Sequence, residues 1–253
     1  MSKNAIIVTN INFDNIFKYT LPFFEKYSKK TGADLIVLDK KNINVNNNSY
    51  YNLNGGVISK EGKAIYPNTR FENLQAGKYF DRYDRIFLLD CDIIIKPNCP
   101  DYFTTNPSHI YVTRVDLLSE DRLKESTSRI KSIQEQLGDI AGWEQFYFNS
   151  GVMMISKIHK KIFEYDFDKL NSITGKTRIQ NFFNWSVKYH KFSIVDMGPK
   201  FNFFSHYKSL GNVNKKDAHI LHYTGNKGLG SNVVKKLERD SNYFLEKDIR
   251  YLL

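Results

Sequence analysis

Cysteine, proline and tryptophan are scarce in this 253-residue chain, with two, six and two residues respectively. Two cysteines as close together as Cys91 and Cys99 build no disulfide framework and offer no zinc-binding spacing, so a reducing, cytoplasmic setting is expected. Long apolar runs are absent too. The N-terminal "AIIV" gives way to Thr9 and Asn10 after four residues, which fits neither a signal peptide nor a transmembrane segment. Acidic residues are the minority charge, 27 against 37 basic ones, and the net charge of +10 would attract nucleic acid, anionic lipid or nucleotide phosphates. The lysines are dispersed among Asn and Ile, as in "KKNINVNNN" and "NVNKKDAHI", without the basic–aromatic clusters of a nucleic-acid groove. No nucleic-acid partner is expected.

What is present is a packable chain, 41% hydrophobic and 15% aromatic, long enough to fold as a single domain over residues 1–253. "AIIVT" (5–9) reads as a buried strand. Asp14 offers a cap for a helix reaching about Lys30, kinked at Pro22 and stopped by Gly32, and "ADLIVLD" (33–39) reads as the next strand. Such a β-α-β unit favours a parallel sheet. The polar stretch 40–68 is too long for an ordinary connector and reads as a mobile loop or an insertion. Helices are expected at 69–82, at 119–138 as a solvated surface element capped by Ser119, around 159–170, at 177–190, and at the C-terminus over 231–253. Strands are expected at "FYFNSGVMMIS" (146–156) and at "AHILHY". The alternation predicts an α/β fold with a mainly parallel sheet, helices on both faces, and ligands at the carboxyl ends of the strands.

"FLLDCDIII" (87–95) is the anomaly. It reads as one buried strand, yet it carries Asp90 and Asp92 where unpaired charge is costly. Two carboxylates one residue apart at a strand end can jointly hold a hard divalent cation if the backbone turns there; the alternative is a pair of carboxylates hydrogen-bonded to loop amides.

"YDRIFLLDCDIII", "FNSGVMMI" and "HILHYTGNKG" follow one another in an order that resembles the GT-A glycosyltransferases, in particular glycosyltransferase family 8, the group of glycogenin and bacterial lipooligosaccharide galactosyltransferases. The resemblance runs from "AIIVTN" to Lys227 and implies a Rossmann-like GT-A fold. By it, Asp90, Asp92 and His222 would hold Mn²⁺, with Mg²⁺ as the alternative, while His219 is structural. Thr9, Asn10 and Phe13 would meet the nucleoside, with Arg70 as the basic residue ahead of the aspartates and Asn73 as its competitor by spacing. Asn149, Ser150 and Gln180 would line the sugar, and Gly225 and Lys227 the diphosphate. One departure stands out: Ile179 replaces the family's acidic residue before Gln180.

The activity this implies is a metal-dependent retaining transfer of a hexose from a nucleotide sugar, UDP-linked, to a glycan, glycoprotein or glycolipid acceptor. Lys227 and the metal would stabilise the departing diphosphate, and the Gln180 carbonyl the charge at the anomeric centre. Two other readings were weighed against it. A catalytically silent sugar-nucleotide module on the same fold is motivated by Ile179. A haloacid dehalogenase-type phosphatase is suggested by the strand-DxD pattern, but Ile94 stands where that family has Thr.

Overall fold

Ala5 and Ile7 of the first strand pack on one side of the sheet and Ile6 and Val8 on the other, all fully buried, which is why its apolar run is continuous rather than alternating. The computed structural model describes residues 3–11, 13–40, 56–58, 64–173, 177–224 and 231–252. In chain order, β1 (Asn4–Thr9) leads through α1 (Asp14–Thr31) to β2 (Asp34–Leu38). A short antiparallel pair, β3 (Gly56–Ile58) and β4 (Ala64–Pro67), precedes a run of 3₁₀ turns over Asn68–Asp81. Then come β5 (Arg85–Asp90), β6 (Ile93–Ile95), β7 (Ile110–Arg114), α2 (Glu120–Leu137) and β8 (Phe148–Ser156). The chain closes with α3 (Phe167–Ser172), α4 (Arg178–Tyr189), β9 (Ile194–Asp196), β10 (Phe203–Phe204), β11 (Ser209–Leu210), β12 (Val213–Asn214), β13 (Ile220–His222) and α5 (Ser231–Leu252).

The main sheet has the order β2-β1-β5-β8-β7-β9, and only β8 runs against its neighbours, so the sheet is mainly parallel as expected. α1 covers one face with Phe17, Phe24 and Tyr27 against Ile6, Val8, Phe87 and Leu89. The opposite face carries the 68–81 segment, α2 and α4, through Phe71, Leu74, Ile130, Ile133, Phe182 and Phe183. A second sheet, β10-β13-β6, makes a third cluster with Ile16 and Phe23 of α1 and Leu237 of α5.

Several expectations shift in detail. Phe13, not Asp14, takes the cap position of α1, and Asp14 is the first helical residue, its carboxylate accepting a hydrogen bond from Asn10 Nδ2 at 2.8 Å. The helix continues through Pro22 to Thr31, where Gly32 ends it at φ +66°. Ser119 caps α2 by accepting from the Arg122 amide, but α2 is no freely solvated element: Ser126, Ile130, Ile133 and Leu137 form a buried stripe toward α4. The helix expected around 159–170 is two pieces, a 3₁₀ segment Lys157–Phe163 and then α3, because Asp166 starts a new helix by accepting from the Lys169 amide. Apart from β3 and β4, most of the 40–68 stretch lies outside the described residues.

Candidate metal and donor site

"FLLDCDIII" proves to be two strands in two sheets. β5 ends at Asp90, whose register partner is Thr9 at the end of β1, and the chain breaks at Cys91 and Asp92 before β6 joins the small sheet. There Ile93, Ile94 and Ile95 pair antiparallel with His222, Leu221 and Ile220. Two hydrogen bonds to its carbonyls hold the break: Thr20 Oγ1 of α1 donates to the Cys91 carbonyl at 2.7 Å, and the Tyr223 amide donates to the Asp92 carbonyl at 2.9 Å. Asp90 thus arrives from the main sheet and His222 from the small one, with Asp92 at the junction.

One ligand atom from each of the three lies within 4.8 Å of the others. His222 Nε2 is 3.2 Å from Asp92 Oδ1 and 3.5 Å from Asp90 Oδ2. The imidazole is fully enclosed, while the Asp90 side chain keeps 30% of its surface exposed, so the cluster opens to solvent on the carboxylate side. Burial alone would push the His222 pKa down, but the Asp92 and Asp90 carboxylates outweigh it and it is pushed up to about 9. Three observations say these residues fit a divalent cation. Asp92 Oδ1 is buried and, apart from His222 Nε2 at 3.2 Å, has no hydrogen-bond partner among the described residues. Two carboxylates and an imidazole form a mixed O/N donor set suited to ions such as Mn²⁺. Gly151 leaves the needed room, since a Cβ there would lie 2.3 Å from His222 Cε1 and 2.7 Å from Asp90 Oδ2.

Gly151 belongs to β8, where the pairing with β7 slips between Tyr111/Met154 and Thr113/Asn149. The irregularity lies between Asn149 and Met154 on β8 and includes Gly151, which it sets against His222 and Asp90. Asn149 Oδ1 accepts from the Gly151 amide at 3.0 Å, and its Nδ2 donates to Gln180 Oε1 at 3.0 Å, with the Ser150 amide 3.5 Å from that same oxygen. The Gln180 carbonyl expected to serve the anomeric centre is therefore turned to Asn149 and Ser150. Ile179 is buried in the core and supplies packing rather than a polar contact. Asn184, one turn after Gln180, ties α4 to β8 by bonding both the amide and the carbonyl of Phe148 at 2.9 Å.

At the β1 end, Thr9 Oγ1 donates to Asn73 Oδ1, which packs Asn73 against the strand ends. Arg70 lies on the backbone of the same segment, and its side chain is outside the described residues. Asn10 Oδ1 is buried without a hydrogen-bond partner, and Phe13 is partly buried at the start of α1. Gly225 and Lys227 lie outside the described residues. His219 bonds the Tyr102 hydroxyl through Nδ1 at 2.8 Å and takes no part in the cluster. Sequence reasoning missed Asn202, which is fully buried and bridges His222 to Asn149; its one signal was a polar residue inside the aromatic run "KFNFF".

No protein-family profile matches the chain, and no curated protein matches it in sequence. Solved structures do match in fold. The galactosyltransferase LgtC, in complex with donor and acceptor sugar analogues, aligns over 95% of this chain and 96% of its own at a TM-score of 0.57 and 16% identity. A glycosyltransferase involved in glycosylation of the major capsid of PBCV-1 gives 0.53 at 13% identity, covering 95% and 99%. Mouse xyloside xylosyltransferase 1 gives 0.51 at 12%, covering 90% and 99%. The chain has the GT-A fold, and these structural neighbours are glycosyltransferases of the family 8-like kind.

Proposed function

We propose that the protein is a metal-dependent glycosyltransferase that moves a hexose from a nucleotide sugar, UDP-linked, to a hydroxyl of a glycan, glycoprotein or glycolipid, with retention at the anomeric carbon. The observation that carries this reading is the convergence of Asp90, Asp92 and His222, with the buried Asp92 Oδ1 facing His222 Nε2, at the carboxyl end of a GT-A sheet. A bound Mn²⁺ or Mg²⁺ supplies charge neutralisation to the departing diphosphate. The chain's own residues do the rest. Asn10 offers its unpaired Oδ1 and Thr9 its position beside Asp90 to the nucleoside, with Phe13 and Arg70 as further contacts. Asn149, Ser150 and Gln180 bind hydroxyls of the transferred sugar from β8 and α4, and Gly225 and Lys227 meet the diphosphate, Lys227 with its charge. Residues 1–253 act as one catalytic domain, and the two buried thiols Cys91 and Cys99, neither in a disulfide, suit a reducing cytoplasm.

Ile179 favours a second reading, a silent module that binds a sugar nucleotide without turning it over. The two separate on one assay: release of UDP from UDP-hexoses in the presence of Mn²⁺. The transferase releases UDP in a metal-dependent way; binding of UDP with Mn²⁺ but no release from any UDP-hexose identifies the silent module.

A further inference from the structure

We infer that Asn202 is a positioning residue that sets His222 toward the metal and Gln180 toward the sugar through one buried amide; this rests on the metal-site reading above. The polarity of the network follows from a backbone group that has no choice of role. The Gly151 amide can only donate, so the Asn149 atom 3.0 Å from it is the oxygen. That oxygen lies 2.9 Å from Asn202, which must therefore present its NH₂ group there. The carbonyl oxygen of Asn202 is consequently the atom 3.0 Å from His222 Nδ1. An amide oxygen accepts and cannot donate, so Nδ1 carries a proton, and Nε2 is the ring nitrogen that faces the two aspartates, 3.2 and 3.5 Å away, and that would turn its lone pair to a cation held there.

The other branch of the network has equal polarity. With its oxygen committed to Gly151 and Asn202, Asn149 turns its own NH₂ to Gln180 Oε1 at 3.0 Å. Asn202 has no solvent exposure, and it comes from the end of the "GPKFN" turn just before β10, so no water competes for either end of its amide. A single side chain therefore fixes the tautomer of one proposed ligand and the amide orientation of one proposed sugar contact.

Asparagine-to-aspartate exchange separates the two branches, because a carboxylate still accepts from Nδ1–H but cannot donate to Asn149. The test is calorimetric titration of the full chain with Mn²⁺ alone, and then with UDP, UDP-glucose and UDP-galactose in Mn²⁺. Asn202→Ala is expected to weaken Mn²⁺ binding by about 10–100-fold, the usual consequence of losing the group that orients a ligating histidine. Asn202→Asp is expected to bind Mn²⁺ at least as well as the unsubstituted protein while losing the preference for a UDP-hexose over UDP. A purely structural Asn202 would instead weaken both variants in parallel. If Asn202→Ala does not fold, the near-isosteric Asn202→Asp decides alone. Unchanged Mn²⁺ affinity in Asn202→Ala, or Mn²⁺ affinity in Asn202→Asp reduced below that of the unsubstituted protein, overturns the inference. Failure of the unsubstituted protein to bind Mn²⁺ removes the metal-site reading and the inference with it.

Discussion

Replacing Asp92 by Ala should abolish metal-dependent UDP binding, because it deletes the buried oxygen that faces His222 across the proposed metal position. Calorimetry with UDP and Mn²⁺ checks this, and full-strength binding by the variant would rule out Asp92 as a ligand. The two histidines of "HILHY" provide an internal control: His222→Ala should weaken Mn²⁺ binding, whereas His219→Ala should leave it unaltered, since His219 pairs with the Tyr102 hydroxyl. Gly151→Ala is a steric test. Its Cβ would stand 2.3 Å from the His222 ring, inside any real contact distance and with enclosed neighbours, so about 1–3 kcal/mol of stability should be lost together with Mn²⁺ binding. Chemical denaturation and metal titration read the two effects. Asp90, Asp92 and His222 were legible in the sequence because short ordered motifs carry them. Asn202 was not, because its partner Asn149 is 53 residues away and a lone polar residue in "KFNFF" announces burial without naming what it touches.

Among the elements, α5 is anchored by charge. Asp240 accepts from Lys215 before the small sheet's β13, from the Tyr223 hydroxyl just after it, and from its neighbour Arg239. Burial works to raise the Asp240 pKa, but these hydrogen bonds outweigh it and hold it below its ordinary value. A depressed folded-state pKa means the stabilisation is fully present above the ordinary carboxylate range, near pH 4, and is lost as pH falls through the lower folded value. Asp240→Asn should therefore cost about 1–3 kcal/mol at pH 7, with the gap to the unsubstituted protein closing below about pH 4. Urea unfolding across pH 3–7 measures it, and a constant gap would show that the charge of Asp240 is not what anchors the helix. Most elements were legible from periodicity and caps, including α2, α4 and the βαβ start. The division of "FLLDCDIII" was not. Its strand propensity is continuous, and the change of sheet is decided by pairing of Ile93 with His222, 129 positions along the chain.

For the whole molecule, a ligand that binds only the folded state raises the melting temperature, and at 100 times its Kd it adds about 2.7 kcal/mol. For a chain of this length that is an upward shift of roughly 5–10 °C. UDP with Mn²⁺ should produce it, and UDP in chelator should not; equal shifts with and without metal would detach the nucleotide from the Asp90–Asp92–His222 cluster. With an α-linked UDP-hexose, NMR of the transferred product should show an α-linkage, and a β-linkage would reject retention. The parallel sheet and its two covered faces could be anticipated from the alternation of strand and helix, whereas the small sheet could not, being made of strands only two and three residues long.

That small sheet also dictates when the protein can be finished. Among the described residues, β6 is its edge strand, bonded by β13 alone. While the chain is being made, Ile93–Ile95 leave the ribosome with no strand partner and wait for Ile220–His222, which at about 5–20 residues per second is a delay of roughly 6–25 s. Through that interval three isoleucines stand as an unpaired, apolar strand beside two uncompensated carboxylates, a segment open to pairing with other nascent chains. A message truncated between the codons for Asp196 and Ile220 never closes it, so such fragments should partition to the insoluble fraction even though they contain every strand of the main sheet.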